Sequence, residues 1–385
     1  MRIALVSDRV PVWSLADALA GRGHRVVGYL TGYPGSVEPA AGGTDRYPAV
    51  EVVRLGGAGS RSDALDEMRR IGAALSRQWV ADPPQVVHAM TWPAGLAALI
   101  ALQDLRGWPV EFVQSYDGTD DALPGLPGPR QAQLRAVVVR GARLVIVRST
   151  AQAQQVLRLG VLRAAVAVVP AGVDVDLFTP AGPAVPRTER SRVVLVDRSG
   201  AVPVGAGWGE AVMAMRRVPR AELLVAGIGD VHGDRPEVRL GAFAEACGVA
   251  RQVSWAGYVA EADLATLLRS ADVVLCPAAA DPDAGTALAA MACGVPVLAE
   301  AVGALADVVA EQATGVLVPP GDPTTFSTAL RDLLADPVRL DGYRIAAADR
   351  ARIRYGWPQI AADTEAAYTR ALVHHSAATP AHADS

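Results

Sequence analysis

Short, nearly unbroken apolar runs recur along the chain, separated by longer stretches whose apolar residues repeat at helical spacing. The first series of runs is 2–7 (RIALVS), 24–29 (HRVVGY), 50–55 (VEVVRL), 85–89 (QVVHA), 110–115 (VEFVQS), 143–149 (RLVIVRS) and 166–170 (VAVVP). Each reads as a buried strand, because a strand covered on both faces needs apolar residues at every position rather than at alternate ones. The stretches between predict helices beginning near Ser14, Ser62, Pro93, Pro129 and Thr150, with Ser14 as an N-cap. A Pro-rich polar segment, 179–191, interrupts the pattern and reads as a linker. A second series then runs through 192–197, 221–227, 252–257, 272–277, 295–300 and 315–320. Alternation of this kind predicts parallel sheets with helices on both faces. The expected fold is therefore α/β, with two doubly wound, Rossmann-like domains facing a cleft. The expected boundaries are 1–178 for the first domain, 179–191 for the linker and 192–355 for the second domain. A final helix over 356–373 and an unstructured tail over 374–385 complete the chain.

Composition narrows what such a fold does. The chain has 385 residues, 51% of them hydrophobic, enough for two cores. The net charge of −4, with no basic stripe, argues against nucleic acid. Arg130, Arg135 and Arg140 lie near a VVV run, but their spacing builds no basic face, so membrane association is not expected. No window has the ~18 apolar residues of a membrane span, and the first apolar run is too short for a signal peptide; a cytoplasmic protein is expected. Lysine and asparagine are absent altogether. Schiff-base chemistry and a lysine phosphate clamp are thereby excluded, and any phosphate must be held by arginine, backbone amides or helix N-termini.

Few local motifs carry chemistry. Gly227-Ile-Gly229 is a fragment of a dinucleotide loop, but the first strand of neither series carries the full glycine pattern. No serine elbow is present. Asp174-Val-Asp176 and Asp281-Pro-Asp283 are acidic pairs without further ligands at metal spacing, so no metal is expected. Cys247, Cys276 and Cys293 sit in apolar surroundings and read as structural thiols. His88 ends a strand, where a ligand would meet it, although a buried structural histidine reads equally well. Arg198 follows the first strand of the second series, a position suited to a diphosphate.

Longer stretches carry a resemblance. LADALAGRGHRVVGY, PPQVVHAMTWPAGLAALIA, RSTAQAQQVLRLG, VVPAGVDVDLFTP, LATLLRSADVVLCP, AMACGVPVLA and ATGVLVPPGDP together resemble the GT-B glycosyltransferases of family 4, retaining enzymes that use nucleotide sugars. The resemblance covers nearly the whole chain. It implies transfer of a sugar from a UDP- or GDP-sugar to an acceptor that the sequence does not specify, with no cofactor and no metal. It implies a base bound near Gly257, Tyr258 and Val259, a diphosphate held by Arg198 and by amides near Ala284, Gly285 and Thr286, and a sugar touched by Asp281. Asp117 and His88 fall at positions near the reacting sugar.

Against that pattern four positions differ. The second acid of the family's pair, which holds the ribose, is Ala289. The phosphate lysine expected after Arg198 is missing. Met90 stands where a histidine is usual, and Asp117 stands where another is frequent. The loop after the first strand is shortened to SDRVPVW. A carboxylate bound to a ribose diol contributes ~1.5–3 kcal/mol, so its loss calls for a replacement, with Glu300 and Asp283 as the candidates. The alternative is a non-catalytic relative, acting as the partner subunit of another protein or as a sugar- or nucleotide-binding module.

Overall fold

A computed structural model of the chain describes residues 1–8, 13–31, 50–55, 64–116, 123, 126–197, 208–228, 236–277 and 284–378. The chain divides into two compact units, one of residues 1–170 with 357–385 and one of residues 171–356.

The first unit is built on β1 (Arg2–Ser7), α1 (Trp13–Gly21), β2 (Arg25–Thr31), β3 (Glu51–Leu55), α2 (Ala64–Ala81), β4 (Val86–Ala89), α3 (Trp92–Leu102), β5 (Glu111–Tyr116), α4 (Gly128–Gly141), β6 (Leu144–Val147), α5 (Thr150–Arg158) and β7 (Val166–Val168). Its strands pair in parallel in the order β3-β2-β1-β4-β5-β6-β7. The order reverses direction beside β1, the arrangement of a doubly wound sheet. β1 and β4 are buried along almost their whole length, which explains why their sequences do not alternate. Helix α1 begins at Trp13, one residue before the expected cap Ser14. Trp13 is 1% exposed and its ring lies against β2: a Cβ on Gly28 would come within 2.0 Å of the ring, so only glycine fits there.

The second unit comprises β8 (Ser191–Asp197), α6 (Trp208–Ala214), β9 (Ala221–Ile228), α7 (Pro236–Ala246), β10 (Val253–Val259), α8 (Glu261–Arg269), β11 (Val273–Cys276), α9 (Gly285–Ala292), β12 (Val297–Glu300), α10 (Gly303–Val308), β13 (Gly315–Val318), α11 (Pro323–Leu334) and α12 (Pro337–Tyr355). Its strand order is β10-β9-β8-β11-β12-β13, again parallel. Two parallel α/β sheets, of seven and six strands among the described residues, are the fold class that the apolar runs predict.

Residues 179–191, expected as a linker, pack on the second unit. Arg269 Nε donates to Pro183 O at 2.7 Å and Val185 N to Thr266 O at 3.2 Å. Asp272 accepts from Arg187 at 2.5 Å and from Arg344 at 2.9 Å. Helix α13 (Trp357–Ala378) belongs to the first unit. Ile360, Ala361, Tyr368 and Ala371 join the core that holds Ile3, Leu5, Trp13 and Leu19. Arg22 Nε also donates to Glu365 at 2.5 Å, and this contact holds the Glu365 carboxyl below its usual range. The helix continues to Ala378, into the stretch expected as a tail; residues 379–385 lie outside the described residues.

Candidate active site

In a doubly wound sheet ligands meet the carboxyl ends of the strands, where loops and helix N-termini replace the paired backbone. In the first unit those ends carry a buried polar array. Ser7 and Asp8, at the end of β1, are 1% and 2% exposed. Thr91 precedes α3 as its N-cap but does not cap it; its hydroxyl donates instead to Asp8 Oδ1 at 2.7 Å. The Thr31 hydroxyl donates to Ser7 O at 3.3 Å.

His88 lies in β4, 1% exposed, and both of its ring nitrogens are engaged. Nδ1 is 2.7 Å from the Tyr368 hydroxyl of α13, and Nε2 is 2.8 Å from Ser115 Oγ at the end of β5. Ser115 Oγ also lies 3.9 Å from Met90 Sδ. Burial lowers the His88 pKa to about 3, so the ring is neutral. Burial likewise raises that of Tyr368, which keeps its proton. Of the two readings the sequence left open for His88, the geometry matches the buried one: Tyr368 of α13 and Ser115 engage both ring nitrogens. Asp117, expected near the reacting sugar, lies outside the described residues, immediately beyond the end of β5.

In the second unit the corresponding region is the start of α9. Its first helical bond runs from Leu288 N to Ala284 O, so the amides of the opening turn have no acceptor within the helix and the positive end of the helix dipole lies at Gly285. Ala284 is fully buried and adopts a left-handed conformation, φ 57° and ψ 21°, that L-residues other than Asn and Asp rarely take. Ala289 lies one turn further on, 2% exposed, in an apolar cluster with Val194, Val196, Cys276, Ala287 and Leu288. At the position where the resemblance expects the ribose carboxylate, the chain thus has a buried methyl group in an apolar cluster. Gly257, expected near the base, sits at an irregularity of β10, where the register with β9 shifts between Trp255 and Gly257; its φ of 89° requires glycine. The side chain of Tyr258, with Arg198, Asp281 and Asp283, lies outside the described residues; Val259 closes β10.

Glu300, at the carboxyl end of β12, is 7% exposed and accepts from Gly321 N at 2.7 Å. Glu210, in the first turn of α6, is half-buried, and its pKa is raised by burial and then by the charge of Glu300. Sequence reasoning missed Glu210, as it missed Ser115, Thr91 and Tyr368. Glu210 carries no motif, and Tyr368 lies 280 positions from the histidine it touches. Among the described residues no group of three or more metal-binding side chains gathers, and no helix is long and apolar enough to cross a membrane. The Asp174 pair is a turn, not a site: Asp174 Oδ1 accepts from the amides of Asp176 and Leu177, each at 3.0 Å. Cys276 and Cys293 are buried thiols, and burial pushes Cys293 up to about 12.

Residues 10–177 match the family model described as Glycosyltransferase Family 4, and residues 208–336 match Glycosyl transferases group 1. A D-inositol 3-phosphate glycosyltransferase of Xylanimonas cellulosilytica is 36% identical over 397 residues, spanning 94% of this chain and 91% of the relative. The chain belongs to the family 4 glycosyltransferases. A second relative, the D-inositol 3-phosphate glycosyltransferase of Mycobacteroides abscessus, is 28% identical over 96% of this chain and 85% of its own length. Among solved structures, a sucrose-phosphate synthase of Thermosynechococcus elongatus superposes with a TM-score of 0.73 at 22% identity, covering 97% of this chain and 100% of that one. Anabaena HepE in complex with UDP gives 0.72 at 16% identity, covering 96% of this chain and 100% of that one. Both are similar in fold, and this glycosyltransferase accordingly has the GT-B architecture.

Proposed function

We propose that this glycosyltransferase moves a hexosyl group, with retention, from a nucleoside diphosphate sugar to a hydroxyl of a small phosphorylated polyol. The observation that carries the reading is the 36% identity to a D-inositol 3-phosphate glycosyltransferase along 94% of the chain. The UDP and UDP-glucose bound to Anabaena HepE, similar in fold, support a UDP-sugar as donor. In the reaction the bond from the sugar's anomeric carbon to the diphosphate breaks and a bond to the acceptor oxygen forms on the same face. The bonding electron pair leaves with the diphosphate oxygen, and the proton lost by the acceptor hydroxyl neutralises the charge that develops there.

The residues divide the work as follows. The N-terminus of α9, from Ala284 through Thr286, stabilises the diphosphate as charge develops on it. Arg198 supplies the fixed positive charge that no lysine shares. Asp281 holds the sugar, and Gly257 to Val259 receive the base. Asp117 lies on the acceptor side. With a methyl group at Ala289, the ribose diol is left to Asp283 or Glu300; burial of Glu300 at a strand end favours Glu300.

The test presents UDP- and GDP-sugars with D-inositol 3-phosphate and with unphosphorylated inositol, reading product by mass spectrometry and anomeric configuration by NMR. A product of retained configuration with the phosphorylated acceptor is expected. Binding of UDP without any product would remove the acceptor assignment. No binding of either nucleoside diphosphate by calorimetry would leave the non-catalytic alternative.

A further inference from the structure

Tyr368, His88, Ser115 and Met90 form one chain of contacts, and the hydrogen count fixes its direction. Tyr368 is fully buried and His88 1% exposed, so neither turns to water for a partner. The hydrogen-bond partner that the Tyr368 hydroxyl has at this site is His88 Nδ1, 2.7 Å away. If Nδ1 carried the imidazole proton, it would donate to the tyrosine oxygen and strand the phenolic proton in a dry interior, and a buried donor left without an acceptor is costly. With the proton on Nε2 instead, every donor is used. Tyr368 O–H donates to Nδ1, Nε2–H donates to Ser115 Oγ, and Ser115 O–H points to Met90 Sδ. A neutral imidazole has one donor and one acceptor nitrogen, and this arrangement occupies both.

The far end of the chain lies where ligands meet the sheet. Ser115 and Met90 are half-buried, at the carboxyl ends of the neighbouring strands β5 and β4, and Ser115 is two residues before Asp117. The near end lies on α13, a helix that enters the first unit from the far end of the sequence. We propose that Tyr368 and His88 are positioning residues: by fixing the imidazole tautomer they aim the Ser115 hydroxyl at Met90 and so set the shape of the acceptor side of the reaction. This assignment rests on the first unit binding the acceptor, as in the proposed function. Without the tyrosine hydroxyl, either tautomer leaves one ring nitrogen without a partner. The two then compete, and in the second Ser115 donates to Nε2 and releases Met90.

The experiment compares the full-length wild type with Tyr368→Phe and Ser115→Ala. Protein labelled with ¹⁵N-histidine is observed by NMR, the His88 signals being assigned by their disappearance in His88→Gln. The wild type is expected to show a single tautomer protonated at Nε2, and Tyr368→Phe a mixture with the Nδ1-protonated form. In the inositol 3-phosphate assay, Tyr368→Phe is expected to raise the acceptor KM or lower kcat by about tenfold, while calorimetric UDP affinity stays at the wild-type value. Ser115→Ala is expected to give the same kinetic change with the Nε2 tautomer kept by Tyr368. A wild-type ring protonated at Nδ1 would overturn the proposal. So would a Tyr368→Phe protein with an unshifted tautomer or unchanged kinetics. Failure of the wild type to transfer to this acceptor would refute the acceptor assignment alone, because the tautomer measurement needs no substrate.

Discussion

The carboxyl ends of the two sheets make the same kind of place from opposite materials. In the first unit the strand ends carry the hydrogen-bonded side chains of Asp8, His88 and Ser115, the Ser7 carbonyl accepts from Thr31, and Thr91 joins them from the start of α3. In the second, the start of α9 is lined by alanine: Ala284, Ala287, Ala289 and Ala290 are all at most 2% exposed. Charge there is displaced to Glu300 at the end of β12 and Glu210 on α6. The first arrangement holds its geometry through hydrogen bonds, which fail when one partner is lost. The second holds through close packing of methyl groups, which fails when volume or charge is introduced. Among the described residues, one topology thus carries a hydrogen-bonded polar array at one sheet and a buried, alanine-rich helix start at the other.

Ala289→Glu strikes that contrast hardest. The new carboxylate enters, at a position 2% exposed, an apolar cluster that also holds Val194, Val196, Cys276 and Leu288. An unpaired buried charge of this kind costs about 3–5 kcal/mol, and the overpacking adds to it. Thermal unfolding should therefore fall by ten degrees or more, with no gain in UDP affinity. If the mutant instead keeps its Tm and binds UDP about tenfold more tightly, the region is an open ribose pocket and the contrast drawn above is wrong.

The polar side of the comparison responds to acid. His88 titrates at about 3 in the folded protein and near 6.5 when unfolded, burial being the cause. Its folded pKa is depressed because the neutral form is the buried one. Between pH 6.5 and 3 the unfolded chain therefore binds a proton that the folded one does not. Stability is full above 6.5 and falls by ~1.4 kcal/mol per pH unit below it. From pH 6.5 to 5, before most carboxylates titrate, the loss is about 2 kcal/mol. Urea titrations at those two pH values measure it. His88→Gln, which keeps a donor and an acceptor but does not ionise, should flatten the slope. An equal slope in the mutant would assign the acid sensitivity to other groups.

How far each side was legible follows from what encodes it. The apolar runs predicted both sheets strand by strand, because burial on both faces writes itself into consecutive residues. Ala289 was readable because α9 lies inside a motif of fixed spacing. The polar array was not readable. Ser115, Thr91 and Tyr368 are ordinary residue types, and only the folding of α13 back onto the first unit brings Tyr368 to His88. The same covering buries His88, whose strand-end position was equally compatible with an open ring. The linker expectation came from a Pro-rich, polar composition between the two strand series, and proline is as compatible with a rigid packed segment as with a free one. Hydrogen bonds from Arg269 and the ion pairs at Asp272, which no local pattern announces, bind that segment to the second unit.

The finest test concerns the backbone on which the alanine-lined site turns. Ala284 caps α9 in a left-handed conformation that costs an L-residue ~1–2 kcal/mol, because its Cβ crowds the neighbouring carbonyl oxygen. Glycine would remove that strain. It would also free the unfolded chain, at a loss of ~0.4–1 kcal/mol. And it would delete a fully buried methyl group, at ~0.8 kcal/mol. The terms nearly cancel, so Ala284→Gly should leave stability within about 0.5 kcal/mol of the wild type, read as a Tm shift of ~1–2 °C at most. A clear gain would mean that the methyl packs poorly and the strain dominates. A clear loss would mean that the packing outweighs it, as the close apolar surroundings of Ala289 demand for the rest of the helix. The near-null result is informative for the comparison: an alanine in this conformation is tolerated only where its methyl group is a working part of the packing. In the polar array of the first unit the bonds are directional, and removal of a single hydroxyl should be felt in the tautomer of a ring before it is felt in the stability of the fold.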